Sequence, residues 1–264
     1  MIKQFTPYGL SSYQSKGRIS LYVVNANIKR QCVELFYYNK DRNILIHRKA
    51  VCDQRFSSLV DIAVVGADRF FVTNIAYFAS GKIQLLEFTM QTNFGSLFYY
   101  DGHTVIQIES RLPTPSAISV DHKRNLLYIA SLLNENVRVY ALQKDLSLVY
   151  RTEMALLSSP TGIHVDEESG DLWISLHPVI YLAYLHSLNP ADDKLHSPSQ
   201  ILRVRIQEDG VSWVITEPYA NDGATITASS DVVRHFHVYY KEQLLIGSQF
   251  GRLVHCDVLN PSIT

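Results

Sequence analysis

The sequence contains no run of about 18 apolar residues, so nothing in it reads as a membrane-spanning helix. No apolar h-region follows Met1-Ile2-Lys3-Gln4, so the start does not read as a secretory leader. There is no Asn-x-Ser/Thr acceptor, because Asn260-Pro261-Ser262 carries the forbidden proline. Charge of either sign is scarce as a field. With 24 basic and 25 acidic side chains the net charge is −1, which argues against nucleic acid as a partner and against an acidic tail. Cysteine is limited to Cys32, Cys52 and Cys256. Three cannot all pair and their spacing fits no zinc pattern, so buried free thiols are the expectation. No GxGxxG or P-loop occurs, and Ser158-Ser159 and Ser229-Ser230 lack the surroundings of a nucleophile elbow. No stretch keeps a helical period over about 11 residues.

What is present is strand. Of 264 residues 47% are hydrophobic, with 16 Tyr and 11 Phe, a composition that favours strands over helices. A phrase recurs: two apolar or aromatic residues, a β-branched one, then a small or polar one. It appears as "LYVV" (21–24), "FFVT" (70–73), "LYIA" (127–130), "LWIS" (172–175) and "LLIG" (244–247). In "ISVDHKRNLLYIA" and "IHVDEESGDLWIS" an alternating run ends at Asp, a polar turn follows and a second strand begins, which is a hairpin pattern. Amphipathic runs such as "VELFYY", "GSLFYY", "VRVYAL" and "ILRVRI" come next, giving about four strands per unit. Such units cannot bury their faces alone, and repeated around an axis they make a β-propeller. The second positions of the phrases, Tyr22, Phe71, Tyr128, Trp173 and Leu245, lie 49, 57, 45 and 72 residues apart. Six blades at the mean spacing need roughly 335 residues, which is more than this chain has. The expectation is therefore an all-β, six-bladed propeller lacking most of its first blade, with residues 1–264 as one domain. A complete five-bladed propeller is the alternative.

"FTPYGLSSY", "LYVVNAN", "VELFYY", "VDIAVVGADRFFVTN", "LYIASLLNENVRVY", "SGDLWISLHP" and "LLIGSQF" to "VHCDVL" fall in order from Phe5 to Val258. Together they resemble the paraoxonase/arylesterase family. The resemblance implies a six-bladed propeller holding one structural and one catalytic calcium ion, and hydrolysis of lactones and aryl esters. A hard calcium ion takes six to eight oxygens, polarises an ester carbonyl and offsets the oxyanion, while a neutral histidine takes a proton from water.

Carried over position by position, that site is largely replaced. The family's asparagine ligands fall on Val60 and Thr114, and its Asp–Asn pair on Thr161-Gly162. Its histidines fall on Tyr8, Ala26 and Ala76, and an aspartate on Ile75. Two positions keep their family residue. Asp61 matches a structural-calcium carboxylate, with the backbone of Leu10 as a further ligand, although a strand-start Asp bonded to amides is the plainer reading. His177 matches a tunnel histidine and is the one catalytic candidate left, against the reading of a satisfied core histidine. The resemblance also implies that Cys256 has lost its family partner, and that a missing blade leaves sheet edges open.

Outside the resemblance, His235 and His237 share a strand face without a third ligand. Asp192-Asp193 in "ADDK" reads as a solvated loop. The resulting expectation is a catalytically degenerate propeller that binds or helps assemble another protein, a membrane protein among the possibilities. A calcium-dependent arylesterase or lactonase is the alternative. The resemblance points to the secretory pathway or the cell exterior, whereas the sequence shows no leader.

Overall fold

The computed structural model describes residues 5–79, 81–192, 194–207, 212–236 and 242–258. Among them the chain forms five antiparallel sheets. The first is β1 (Pro7–Ser15), β2 (Arg18–Asn25), β3 (Cys32–Asn39) and β4 (Ile44–Cys52). The second is β5 (Leu59–Gly66), β6 (Arg69–Asn74), β7 (Gly95–Tyr100) and β8 (Val105–Leu112), with helix α1 (Lys82–Thr89) between β6 and β7. The third is β9 (Pro115–Asp121), β10 (Leu126–Ser131), β11 (Asn136–Leu142) and β12 (Leu148–Ala155). The fourth is β13 (Ser159–Val165), β14 (Leu172–His177), β15 (Ser199–Ile206) and β16 (Trp213–Asn221), with α2 (Ile180–Leu188) between β14 and β15. The fifth has three strands, β17 (Ser229–Phe236), β18 (Glu242–Ser248) and β19 (Leu253–Val258). No helix among the described residues is long and apolar enough to cross a membrane.

The recurring phrase is the second strand of each sheet. Tyr22, Phe71, Tyr128 and Trp173 are at most 1% exposed, so these strands are covered on both faces. In the fifth sheet the alternation differs: Leu244 and Ile246 are buried while Leu245 is 39% exposed, so only one face of β18 is covered. Five sheets are described where six blades lacking most of the first were expected, and the long 57- and 72-residue gaps each contain an inserted helix, α1 or α2.

The chain divides into two compact units, Met1–Val120 with Ser131–Asn134, and Asp121–Ala130 with Glu135–Thr264. Unit 1 has a core of Tyr22, Val24, Leu35, Phe56, Phe70 and Phe98, among others. In unit 2 Trp173 is buried with Ile201, Ile226, Val232, Leu244 and Ile246. The Arg203 and Arg234 guanidiniums lie 5.4 and 5.9 Å from its ring centroid, within cation–π range. They are held there by Asp171 and Asp166 respectively. The "DEESGD" turn places Gly170 at φ 81, a left-handed conformation in which a side chain would be strained.

The expectation of three free thiols is also corrected. Cys32 faces Cys52 across β3 and β4 in register, their Cα atoms are 4.3 Å apart, and they form a disulfide. Sequence spacing could not reveal this, because the pairing depends on the register of two strands. Cys256 is free. Opening a 20-residue crosslink should cost about 3 kcal/mol. The Cys32→Ala/Cys52→Ala double variant is expected to lower the urea midpoint accordingly. Reductant should shift the parent chain in the same direction and leave the double variant unchanged.

Candidate functional site

The positions singled out by the resemblance share a structural feature. Several sit where the first strand of a sheet is interrupted. The register of β1 shifts between Pro7 and Leu10, that of β5 between Leu59 and Ile62, that of β13 between Pro160 and Gly162, and that of β17 between Ser229 and Asp231. Thr114, just before β9, has φ 34, which is strained for a β-branched residue. Bulges re-aim side chains next to active sites, and here they carry Tyr8, Val60, Asp61 and Thr161.

In unit 1, Asp61 Oδ1 accepts the Ile62 amide at 2.9 Å and Oδ2 accepts the Ile118 amide of β9 at 2.9 Å. A Cβ on Gly9 would lie 2.4 Å from Oδ1, so the β1 bulge approaches this carboxylate by virtue of glycine. Leu10 follows on the same strand and is 64% exposed. The strained Thr114 is held twice, its carbonyl accepting the Leu132 amide and its Oγ1 the Leu133 amide, each at 3.0 Å. Val60 and Ala26 bring no side-chain oxygen. Asn25 is engaged through both ends, accepting from Thr6 N and donating to buried Glu34, which in turn meets His47 at 2.8 Å. Along "TNIAYF", Asn74 is 2% exposed and clamps residues 55–58, donating to Arg55 O and accepting from the Ser57 and Ser58 amides. Ala76 beyond it is fully buried.

In unit 2, Thr161 Oγ1 donates to Ser229 O at 2.8 Å and, its proton thus used, accepts from Ser175 Oγ at 3.1 Å. His177 Nε2 lies 3.0 Å from the same Ser229 carbonyl. A carbonyl only accepts, so Nε2 carries the ring proton and the lone pair is on Nδ1, which is buried without a hydrogen-bond partner among the described residues. Ser229 also donates from its amide to Ser199 Oγ and from its hydroxyl to Leu176 O. No recognisable motif surrounds Ser229, yet it is the hub here.

Asp231 is a second residue that sequence reasoning missed. Its Oδ1 accepts the next amide, Val232, at 2.8 Å, and a Cβ on Gly162 would lie 2.9 Å from it. This repeats the Asp61–Gly9 arrangement in the other unit, and the signal was visible as "VDI" (60–62) beside "SDV" (230–232). The remaining candidates do not assemble. Asp192 accepts its own loop's Lys194 amide, whereas Asp193, His237 and the side chain of His235 lie outside the described residues.

A family model described as Arylesterase matches residues 2–258. The chain belongs to the arylesterase family. Mechanosensory abnormality protein 6 of Caenorhabditis elegans is 51% identical over 263 residues, covering 99% of this chain and 68% of its own length. Serum paraoxonase/arylesterase 2 of Gallus gallus is 28% identical, covering 97% and 70%. Among solved structures, a luciferin-regenerating enzyme aligns with a TM-score of 0.57 at 13% identity over 92% of this chain and 70% of its own, a likeness of fold alone. That likeness and the five sheets place the chain among all-β propellers.

The family is generally calcium-dependent. The residues present do not fit a catalytic ion. Val60, Ile75, Ala76 and Gly162 have no side-chain donor, and both threonine oxygens are already used within the fold. Asp61 with the Leu10 carbonyl is a one-carboxylate set, and both carboxylate oxygens already accept amides.

Burial pushes the His177 pKa down to about 4 from 6.5, against the Ser229 and Ala228 carbonyls that raise it. Its folded value is depressed, so the unfolded chain binds the proton first. The stability it contributes is complete above pH 6.5 and is lost as pH falls towards 4. Desolvation pushes Asp231 up to about 6 from 3.8, against the Val232 amide bond. Its contribution has the opposite sign, present below pH 3.8 and lost as pH rises through 6. Asp231 also keeps an exposed surface, and water there makes its effect the smaller of the two. His177→Gln should therefore remove up to about 3 kcal/mol of the stability loss between pH 6.5 and 4, read from urea midpoints. Asp231→Asn should make the acid-side loss steeper. Equal slopes in all three proteins would refute the assignment.

Proposed function

We propose that this arylesterase-family propeller no longer hydrolyses esters and acts as a binding factor in the assembly of another protein, a membrane protein in the leading case. One observation carries this reading. At the family's ligand positions the side chains either carry no oxygen, as at Val60 and Gly162, or are already bonded within the fold, Thr114 Oγ1 accepting the Leu133 amide and Thr161 Oγ1 donating to the Ser229 carbonyl. Without a Lewis acid the oxyanion of ester attack is left uncompensated. His177 does not replace that function, because a base with a pKa of about 4 is poorly matched to neutral pH and its free nitrogen is buried. The name of the 51%-identical relative, which describes a mechanosensory abnormality and no catalysis, is in keeping with this. Within this reading the five sheets are five of six blades, and calcium, where bound, is a structural ion at Asp61 and Leu10. The Cys32–Cys52 bridge supports an oxidising compartment, in line with the family's secretory association.

The second reading is a calcium-dependent arylesterase or lactonase, favoured by the family match itself. It requires a site rebuilt from Thr114, Thr161, Asn25, Asn74 and His177. Calorimetric titration of the purified chain with calcium, with phenyl acetate and a δ-lactone assayed in the same buffer, separates the two. The proposal expects no turnover with or without EDTA, and at most one ion bound. Turnover that EDTA abolishes would overturn it. Binding of one ion that Asp61→Ala removes would place that ion at the structural site.

A further inference from the structure

The face of the first sheet that packs on the second runs on past it. Opposite residues of neighbouring strands point to the same side, and Tyr22 with Leu35 points into the core shared with Phe70 and Phe98. Towards the turns, the next row on that side is Tyr13, Ser20, Tyr37 and Ile46, and the row after it is Ser15, Arg18, Asn39 and Ile44. The second sheet meets this face at Tyr22, whose hydroxyl accepts the Asp68 amide of the β5–β6 turn at 3.0 Å. Lys49 of β4 reaches the same turn, 3.5 Å from Asp68, and donates to Tyr100 Oη at 3.4 Å. Beyond that contact the cover thins: Tyr37 is 36% and Ile44 45% exposed, and Arg18 is exposed. The neighbour on this side is the second sheet, whose four strands are all described. The overhang is therefore a ledge with an aromatic and an aliphatic side chain on it.

Cations rim the ledge. The β1–β2 turn carries Lys16 and Arg18, the β3–β4 turn Lys40 and Arg42, and the β5–β6 turn Arg69, all of them exposed. Among the described residues none of them forms an ion pair. Of the nearby carboxylates, Asp68 lies against Arg48 and Lys49, and Asp101 accepts the His103 and Thr104 amides of its own turn. The turns are stiff. Lys16 and Gly17, at φ 49 and 75, make a two-residue turn in which asparagine usually stands where Lys16 is. Tyr38 Oη donates to Asn43 Oδ1 at 2.6 Å, and Asn39 Oδ1 accepts the Arg42 amide at 3.0 Å. The overall charge of −1 hides this field, because it is balanced elsewhere on the chain.

We propose that the ledge docks an acidic, extended segment of a partner polypeptide, whose carboxylates meet the rim and whose apolar side chains lie on Tyr37 and Ile44. An apolar centre inside a charged rim is the build of a protein interface. A sulfated polysaccharide brings no apolar side chain for that centre. Anionic lipid is concentrated on the cytoplasmic leaflet, whereas the Cys32–Cys52 bridge belongs to the oxidising side. This names the partner chemistry of the binding role proposed above and rests on that reading. The two fail separately, because ester turnover and peptide binding are read in different assays.

The probe is a fluorescein-labelled octapeptide with a leucine pair between glutamate triplets, and its binding to the full chain is followed by anisotropy. Arg18→Glu/Arg42→Glu is expected to weaken binding at least about tenfold, and Tyr37→Ser/Ile44→Ser at least about threefold. Lys144→Glu/Arg151→Glu makes the same charge change at exposed residues of the other unit and should leave binding within about twofold of the parent. Serine in place of the leucine pair should weaken the peptide on the parent chain and not further on Tyr37→Ser/Ile44→Ser. Urea midpoints check that each variant folds, and Arg18→Gln/Arg42→Gln serves where charge reversal does not. No binding of the peptide, an equal loss in the Lys144→Glu/Arg151→Glu pair, or no loss in Tyr37→Ser/Ile44→Ser would overturn the inference. So would heparin or phosphatidylserine vesicles that bind more tightly than the peptide and are released by Arg18→Glu/Arg42→Glu, since the rim would then serve a polysaccharide or a lipid.

Discussion

A carboxylate at a strand bulge is the contact on which the layout of unit 1 depends. Asp61 accepts one amide from its own strand and one from β9, and so ties the second sheet to the start of the third. Bonds from neutral donors to a charged acceptor are stronger than neutral pairs, and losing a buried acceptor leaves its donors unpaired at a cost of about 1–3 kcal/mol each. Gly9 lets β1 close on the same carboxylate, so one side chain fixes three first strands. These bonds require no metal beside the carboxylate, whereas Val60 next to it brings no side-chain oxygen.

The two units solve the same problem with different completeness. Asp231 repeats the local bond of Asp61 and the close approach of a glycine, Gly162. Asp61, however, has the Ile118 amide on its second oxygen, whereas Asp231 keeps an exposed surface and a raised pKa. Among the described residues Leu244 and Ile246 of the neighbouring β18 are buried and Leu245 between them is exposed.

Much of the fold was legible because burial on both faces imposes the same phrase on every second strand. The "LWIS" and "LYIA" hairpins could be read with their turns, because each opens on Asp and places a residue suited to a positive φ, Gly170 in one and Asn125 in the other, before the second strand. The helices could not, since α1 and α2 have 8 and 9 residues and fall below the length at which a period is distinguishable. Their insertions lengthen two of the gaps between phrases. The disulfide was hidden because it depends on strand register. At the site, the losses at Val60, Ile75, Ala76 and Gly162 could be read from residue type alone. The bulges could not, because a one-residue slip in pairing leaves no compositional trace. Ser229 was dismissed for want of a motif, although its part is played mainly by backbone groups, on which sequence is silent.

The replaced residues also explain one another. Paired or metal-bound carboxylates and imidazoles can be buried, but the same groups left alone cost several kcal/mol. Val60 and Gly162 bring no side-chain oxygen, and under the proposed reading an aspartate or a histidine beyond Asn74 would be a liability. Ile75 and Ala76 carry no such cost, and Asn74 clamps the 55–58 loop. Thr161 and His177 remain polar because they share a protein acceptor, the Ser229 carbonyl, that requires no ion. The polar groups found at these positions are those whose partners lie within the fold, which is in keeping with the non-catalytic reading proposed above.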